Sequence, residues 1–324
     1  MSDILQGEGL VGLTEVEAAA RRLAGVAVRT PLLPSDIVSE VTGANVRLKC
    51  ESLQRAGSFK IRGAYNFVSQ LSDEQVASGI ITYSSGNHAQ AVALSGKLRG
   101  VRVVVVMPTT APKVKRDGAE RLGAEVIYEG TTSLERRAKA EEIAEEQGLV
   151  IVPPFDHRHI IAGQGTVGLE IAREWPDVDL VLAPIGGGGL ASGVAASIKR
   201  LLPTARVIGV EPVGAASMRK ALDEERPVVI KQIDTIADGL APVMAGELTY
   251  EHAFSLMDDV VTVSDDAIQE ATSLLVSKQK LIVEFSGAAA TAALISKAVE
   301  AQDARVAIVI SGGNLDPTLV AGVA

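Results

Sequence analysis

Ile80-Ile81-Thr82-Tyr83-Ser84-Ser85-Gly86-Asn87-His88 opens the most regular part of the chain. A short apolar run ends in a Ser-Ser-Gly-Asn turn, and a helix over 88–98 is expected after it. Val101 to Met107 is a nearly continuous valine run, the pattern of a strand buried on both faces of a parallel sheet. A helix over 112–122, a strand from Ala124 to Tyr128, a Thr132- or Ser133-capped helix to Gln147 and a strand over 149–152 complete the series. Four strands separated by three helices within 80–152 read as a doubly wound α/β unit.

The alternation continues outward on both sides. Upstream, a helix over 14–25 is capped by Thr14 with Glu17 closing the box, and Asn45 to Glu51 alternates as a strand. Residues 60–71 form the next helix. Downstream, Pro153-Pro154 marks a crossing, and a helix over 160–174 follows. Leu180 to Ile185 is a strand that runs into Gly186-Gly187-Gly188-Gly189, with a helix over 191–202 beyond. Strands at 207–211, 260–263 and 305–310, a Ser264-capped helix to Lys280 and an alanine-rich helix over 287–301 finish the pattern. Residues 223–260 read as irregular.

The totals exclude several classes. The 324 residues are 47% hydrophobic, with a net charge of −9 and no basic patch interleaved with aromatics, so no nucleic-acid partner is expected. No apolar run reaches membrane-spanning length, and Met1-Ser2-Asp3-Ile4 lacks the basic region of a signal peptide, which points to the cytoplasm. The single cysteine, Cys50, rules out an internal disulfide framework and reads as a buried apolar residue.

Ligands of open α/β sheets bind beyond the carboxyl ends of the strands. Three glycine-rich loops stand there: Ser84 to His88, Gly186 to Gly189, and Ser311-Gly312-Gly313-Asn314. The four-glycine loop suits a phosphate, because a helix N-terminus offers free N–H groups. Its spacing matches neither Gly-x-Gly-x-x-Gly nor a P-loop. The alternative is a flexible cap. Ser84-Ser85 is either a helix N-cap or a carboxylate cradle. Lys60, in Ser58-Phe59-Lys60-Ile61-Arg62-Gly63-Ala64, is either a surface charge or a nucleophile. His88 reads as a packed side chain rather than a base. Together, a lysine, a phosphate cradle, a carboxylate cradle and a Ser-Gly-Gly-Asn turn suggest pyridoxal phosphate acting on an amino acid.

The five motifs Gly57 to Ala64, Ser84 to Gln90, Ile161 to Thr166, Gly186 to Gly189 and Ser311 to Asn314 occur in the order of one family. From about Thr14 to Ala324 the chain resembles the threonine/serine dehydratase and serine racemase family, among the fold-type II pyridoxal-phosphate enzymes. That resemblance implies a tryptophan synthase β-like fold of two open, twisted, mainly parallel sheets flanked by helices. Residues 1–72 and 155–324 would form a large coenzyme-binding domain and 73–154 a small one, with no C-terminal regulatory domain.

It also implies roles. Lys60 would hold the coenzyme as a Schiff base and move the α-proton, with Phe59 beside the pyridine ring. Asn87 would bond the ring hydroxyl, Ser311 would face the ring nitrogen, and Gly186, Gly187, Gly188, Gly189 and Leu190 would bind the phosphate. Ser84, Ser85 and His88 would surround the substrate carboxylate, and Ser85 matches the second acid/base of racemases. Mg²⁺ or Ca²⁺ would bind at Glu211, the Ala215 carbonyl and Ser217, where the family carries an aspartate. Pro154-Phe155-Asp156 and Pro242 look like the bacterial dehydratase branch. The expected reaction is ammonia loss from L-threonine or L-serine. Its rivals are a serine or aspartate racemase with side dehydratase activity and a dehydratase of 3-hydroxyaspartate or phenylserine. The assembly expected is a homodimer or homotetramer.

Overall fold

The computed structural model describes residues 9–111, 113–316 and 318. The acidic start Met1 to Ile4 lies outside the described residues. Strands are Leu32–Pro34 (β1), Asn45–Cys50 (β2), Ile80–Tyr83 (β3), Val103–Met107 (β4), Glu125–Tyr128 (β5), Val150–Ile151 (β6), Leu180–Pro184 (β7), Arg206–Pro212 (β8), Asp259–Val263 (β9) and Arg305–Ile310 (β10). They form two sheets. One has the order β1-β2-β10-β7-β8-β9 and the other β5-β4-β3-β6. Only β1 runs antiparallel to its neighbour, Leu33 pairing with Leu48; the remaining pairs are parallel.

All five residues of β4 are buried, as its unbroken apolar run requires. β7 is likewise buried throughout. Each buried valine of such a strand contributes about 1.5–3 kcal/mol through removal from water. β10 lies at the centre of the larger sheet, Val306 facing Val46 on one side and Leu180 on the other. The chain therefore returns at its end to pair with one of its first strands. The single cysteine, Cys50, is buried at the end of β2, and burial pushes its thiol up to about 12.

Helices fall close to their expected spans, with informative differences. The first runs Leu13–Leu23, and Glu15 rather than Glu17 closes its start, accepting from the Gly12 amide at 2.8 Å. The alanine-rich helix is Phe285–Ile295, shorter than 287–301. It stops before Lys297, which takes a left-handed φ of 61°. Helices at Asp36–Thr42, Asp73–Ser78 and Glu247–Leu256 are additional to the sequence reading. Among the described residues no helix is long and apolar enough to cross a membrane.

The carboxyl ends of β3, β7 and β10 carry the three glycine-rich loops. The four-stranded sheet contributes Ser84–His88, and the larger sheet contributes the other two loops and Lys60.

Candidate active site

Lys60 is the first residue of the helix Lys60–Val68. Its loop is zipped to the loop after β10. Phe59 N donates to Ser311 O at 3.1 Å, Gly313 N donates to Gly57 O at 2.8 Å, and Ser58 bridges Gly312. Further along, a buried ionic cluster anchors the same helix. Arg62 reaches both oxygens of Glu51 at 2.8 Å and Glu170 at 2.7 and 2.9 Å. Lys49 Nζ donates to Glu170 at 2.6 Å. Burial opposes ionising Glu51, but the Arg62 guanidinium prevails and holds its carboxyl below the usual range. The helix start, and with it Lys60, is fixed from both sides.

The half-buried Lys60 ammonium donates to Pro154 O at 2.8 Å and lies 5.2 Å from the Phe59 ring centroid. Burial lowers its pKa to about 8, against the opposing charge of Glu284. The next residue after Pro154 reaches the glycine loop: a Cβ on Gly187 would lie 2.2 Å from the Phe155 ring. Pro154-Phe155 thus connects the lysine to that loop.

Gly188 takes a φ of +96°, and a Cβ there would meet Thr249 at 2.7 Å, so the turn requires glycine. Thr249 Oγ1 donates to Gly187 O at 2.7 Å, and Asp156 accepts from the Glu247 and Thr249 amides, each at 3.1 Å. Among the described residues no acceptor takes the amides of Gly186, Gly187, Gly188, Gly189 or Leu190. Those amides open the helix Gly189–Leu201, whose dipole favours an anion at that end. Free amides, a glycine cradle and a depressed lysine fit a phosphorylated aldehyde coenzyme.

Ser311 is buried, and its hydroxyl donates to Ser286 O at 3.5 Å, a long contact. Ser286 Oγ in turn accepts from Gly239 N at 2.8 Å, beside Gly186. Asn87, the first residue of Asn87–Arg99, accepts from Asn314 Nδ2 at 2.9 Å and donates to Glu284 Oε1. Lys60, Asn87, Ser311 and the four-glycine loop are therefore brought together. Ser84 Oγ accepts from Gly86 N at 3.1 Å, while Ser85 is half-buried and its side chain makes no hydrogen bond among the described residues. His88 is buried, its Nε2 lying 3.2 Å from Val152 O. Burial and then the Lys60 charge push its pKa down to about 3, so the ring is neutral. It supports the turn as a packed side chain.

The carboxylate of Glu211, expected with Ala215 and Ser217 to bind a cation, stands at the start of a helix. Both Glu211 oxygens accept helix amides, from Met218 and Arg219, each at 2.8 Å. The carboxylate thereby caps the helix Ser217–Asp223. Burial raises its pKa to about 7. Among the described residues no group of three or more His, Cys, Asp or Glu is arranged to hold an ion. With serine at 217, the expected set offers one carboxylate, one carbonyl and one hydroxyl, where hard cations prefer carboxylate oxygens.

Glu284, Lys115 and the Pro154 carbonyl were not legible as site groups. A lone acid before Phe285 and a lysine in a charged helix carry no local signal. Asn314 stood inside a quoted motif, and Pro154 inside the quoted stretch Pro154-Phe155-Asp156, though not for its carbonyl.

An open α/β protein with loops from two parallel sheets converging on a depressed lysine and an anion cradle is defined by these features. A family model described as "Pyridoxal-phosphate dependent enzyme" matches residues 23–312, and the chain belongs to that family. It is 42% identical over 311 residues to a Thermotoga maritima protein named L-threonine ammonia-lyase, covering 96% of this chain and 77% of that one. Maize serine racemase superposes with a TM-score of 0.92 at 36% identity, covering 96% of each chain. The processed form of threonine deaminase isoform 2 from Solanum lycopersicum gives 0.90 at 40%, covering 96% of this chain and 86% of that one.

Proposed function

We propose that the protein is an L-threonine/L-serine ammonia-lyase, converting a β-hydroxy amino acid to a 2-oxo acid and ammonia. The observation that carries the reading is the half-buried Lys60 amine, lowered to about 8 and held by Pro154 O, next to Phe155. Phe155 packs on the glycine loop, whose amides, Gly186 to Leu190, have no acceptor among the described residues. The names of the relatives favour threonine as substrate.

When bound, pyridoxal phosphate supplies an electron sink for the pair left at Cα after proton loss. In this reading Lys60 Nζ holds it and takes the Cα proton, and Phe59 flanks the ring. The amides of Gly186, Gly187, Gly188, Gly189 and Leu190 bind its phosphate. Asn87 Nδ2 keeps one N–H for the ring hydroxyl, since the other goes to Glu284. The Ser311 hydroxyl would serve the ring nitrogen. A neutral hydroxyl stabilises a protonated ring less than a carboxylate would, which favours prompt loss of the β-hydroxyl. Ser84 and Ser85 bind the substrate carboxylate, with the neutral His88 behind them. Water is consumed when the dehydrated product releases ammonia, so water lost in elimination is regained and the atoms balance.

The same proposal includes a large domain of residues 1–72 and 155–324 and a small one of 73–154, supported by the separate origin of the two sheets. It also includes a homodimer or homotetramer, which light scattering tests.

Reduction of the holoenzyme with borohydride, followed by peptide mass analysis, should find the coenzyme on Lys60. A label on another lysine, or none, overturns the assignment. A second reading, racemisation with side elimination, is favoured by Ser85, which is half-buried and whose hydroxyl has no partner among the described residues. Ser85→Ala should then abolish D-enantiomer formation while sparing much of the 2-oxo acid yield. Equal loss of both contradicts the two-base role.

A further inference from the structure

Several groups join the two sheets at the site. Two of them, Asn87 and Lys115, meet on one carboxylate. Glu284 is buried at the start of the helix Phe285–Ile295. Its amide donates to Gly312 O at 3.1 Å, and a Cβ on Gly312 would lie 2.2 Å from Oε1, so the glycine turn after β10 is moulded around the carboxylate. Oε1 receives the Asn87 amide. Oε2 faces Lys115 Nζ at 3.5 Å.

Asn87 and Lys115 both come from the layer built on the four-stranded sheet. Lys115 lies on the helix Lys113–Arg121 and is 3% exposed. Its stem crosses Gly86, where a Cβ would meet Lys115 Cδ at 2.2 Å. Its ammonium also donates to Asp238 Oδ2 at 2.6 Å, on the six-stranded side. The Asn87 carboxamide is held at both ends: Asn314 Nδ2, itself tied to Ala56 O at 2.9 Å, donates to its oxygen, and Glu284 accepts from its nitrogen. This fixes which way the amide faces, since a carboxylate accepts only from the nitrogen.

We infer that Glu284 is a positioning residue for the coenzyme: it aims the Asn87 amide, and Lys115 is the counter-charge, supplied across the seam between the two sheets, that holds the Glu284 carboxylate in place. Closure of the seam and alignment of Asn87 are then one event, because both contacts end on the same group. The inference rests on the reading that Asn87 faces the coenzyme ring. A buried carboxylate deprived of its cation loses an interaction far stronger than a neutral hydrogen bond.

The test titrates the full chain, stripped of coenzyme, with pyridoxal 5'-phosphate and reads the dissociation constant. Five proteins are compared with the unmodified chain: Glu284→Ala, Glu284→Gln, Lys115→Met, Lys115→Arg and the Lys115→Met/Glu284→Gln double variant. Glu284→Ala should weaken binding roughly ten- to hundredfold, the range of a charge-assisted hydrogen bond. Lys115→Met should weaken it in the unmodified background but change it little once residue 284 is glutamine. A merely structural contribution would not show that coupling. Lys115→Arg should restore most of the affinity lost in Lys115→Met. The inference is overturned if the Lys115 and Glu284 effects multiply independently, or if folded Glu284→Ala binds as the unmodified chain does. If Glu284→Ala does not fold, the Lys115→Met/Glu284→Gln cycle decides alone. Failure of the functional reading looks different: the coenzyme would then not be fixed to Lys60 by borohydride in any of the proteins.

Discussion

At the scale of the residue, the decisive fact is the environment of one amine. Burial lowers Lys60 to about 8 from the ordinary 10.5. Between those values the folded chain holds the neutral amine while the unfolded chain still binds the proton. Stability attributable to this group therefore rises as pH climbs from about 8 toward 10.5, and the cost of a buried cation is felt below 8. The same depression makes the nucleophile available near neutrality. The rate at which coenzyme-free protein captures pyridoxal phosphate should be half-maximal near pH 8, measured by stopped-flow absorbance. A midpoint near 10.5 would mean an unperturbed lysine. Lys60, Asn87 and Ser311 were legible because each sits in a short motif, the last two at strand ends. The Pro154 carbonyl, Glu284 and Lys115 were not, because 94, 224 and 55 positions separate them from Lys60 in the chain, and nothing local encodes that proximity.

At the scale of the element, what holds the lysine helix is an ionic cluster rather than a cap. Phe59 at the N-cap makes no side-chain cap bond, and Arg62 one turn on supplies the anchor. Arg62→Met leaves the fully buried Glu51 without its cation and should cost about 3–5 kcal/mol, read as a lowered urea midpoint. Adding Glu51→Gln should return part of the loss. An unchanged midpoint would show that the cluster does not secure the helix. Glu211 makes the complementary case. Because two helix amides occupy its oxygens, added Mg²⁺ or Ca²⁺ should leave the melting temperature unchanged, and a chelator likewise. A saturable rise in melting temperature would restore the cation site. That site was implied only by the family resemblance, in which Ser217 replaces an aspartate; the amides that donate to the Glu211 carboxylate carry no signal in the sequence. The helix Asp36–Thr42 escaped detection for a related reason. It is only seven residues long, too short for a period to emerge, although Ser35 caps it and Gly43 ends it in a left-handed turn.

At the scale of the whole molecule, alternation of strand and helix was readable because buried parallel strands are continuous apolar runs. The four strands of the smaller sheet are contiguous in the chain, so their grouping followed from short connections. The order of the larger sheet did not. β10 enters between β2 and β7, a placement set by packing of distant segments, and this placement is what lays Ser311 against the Lys60 loop. The site exists only because the last strand closes onto one of the first.

The measurement that tests the central claim most directly is a product balance on the purified holoenzyme with L-threonine. The account predicts equal amounts of the 2-oxo acid and ammonium, with no production by Lys60→Ala. Accumulation of the D-enantiomer or epimer without 2-oxo acid, or product formation undiminished by Lys60→Ala, would contradict it.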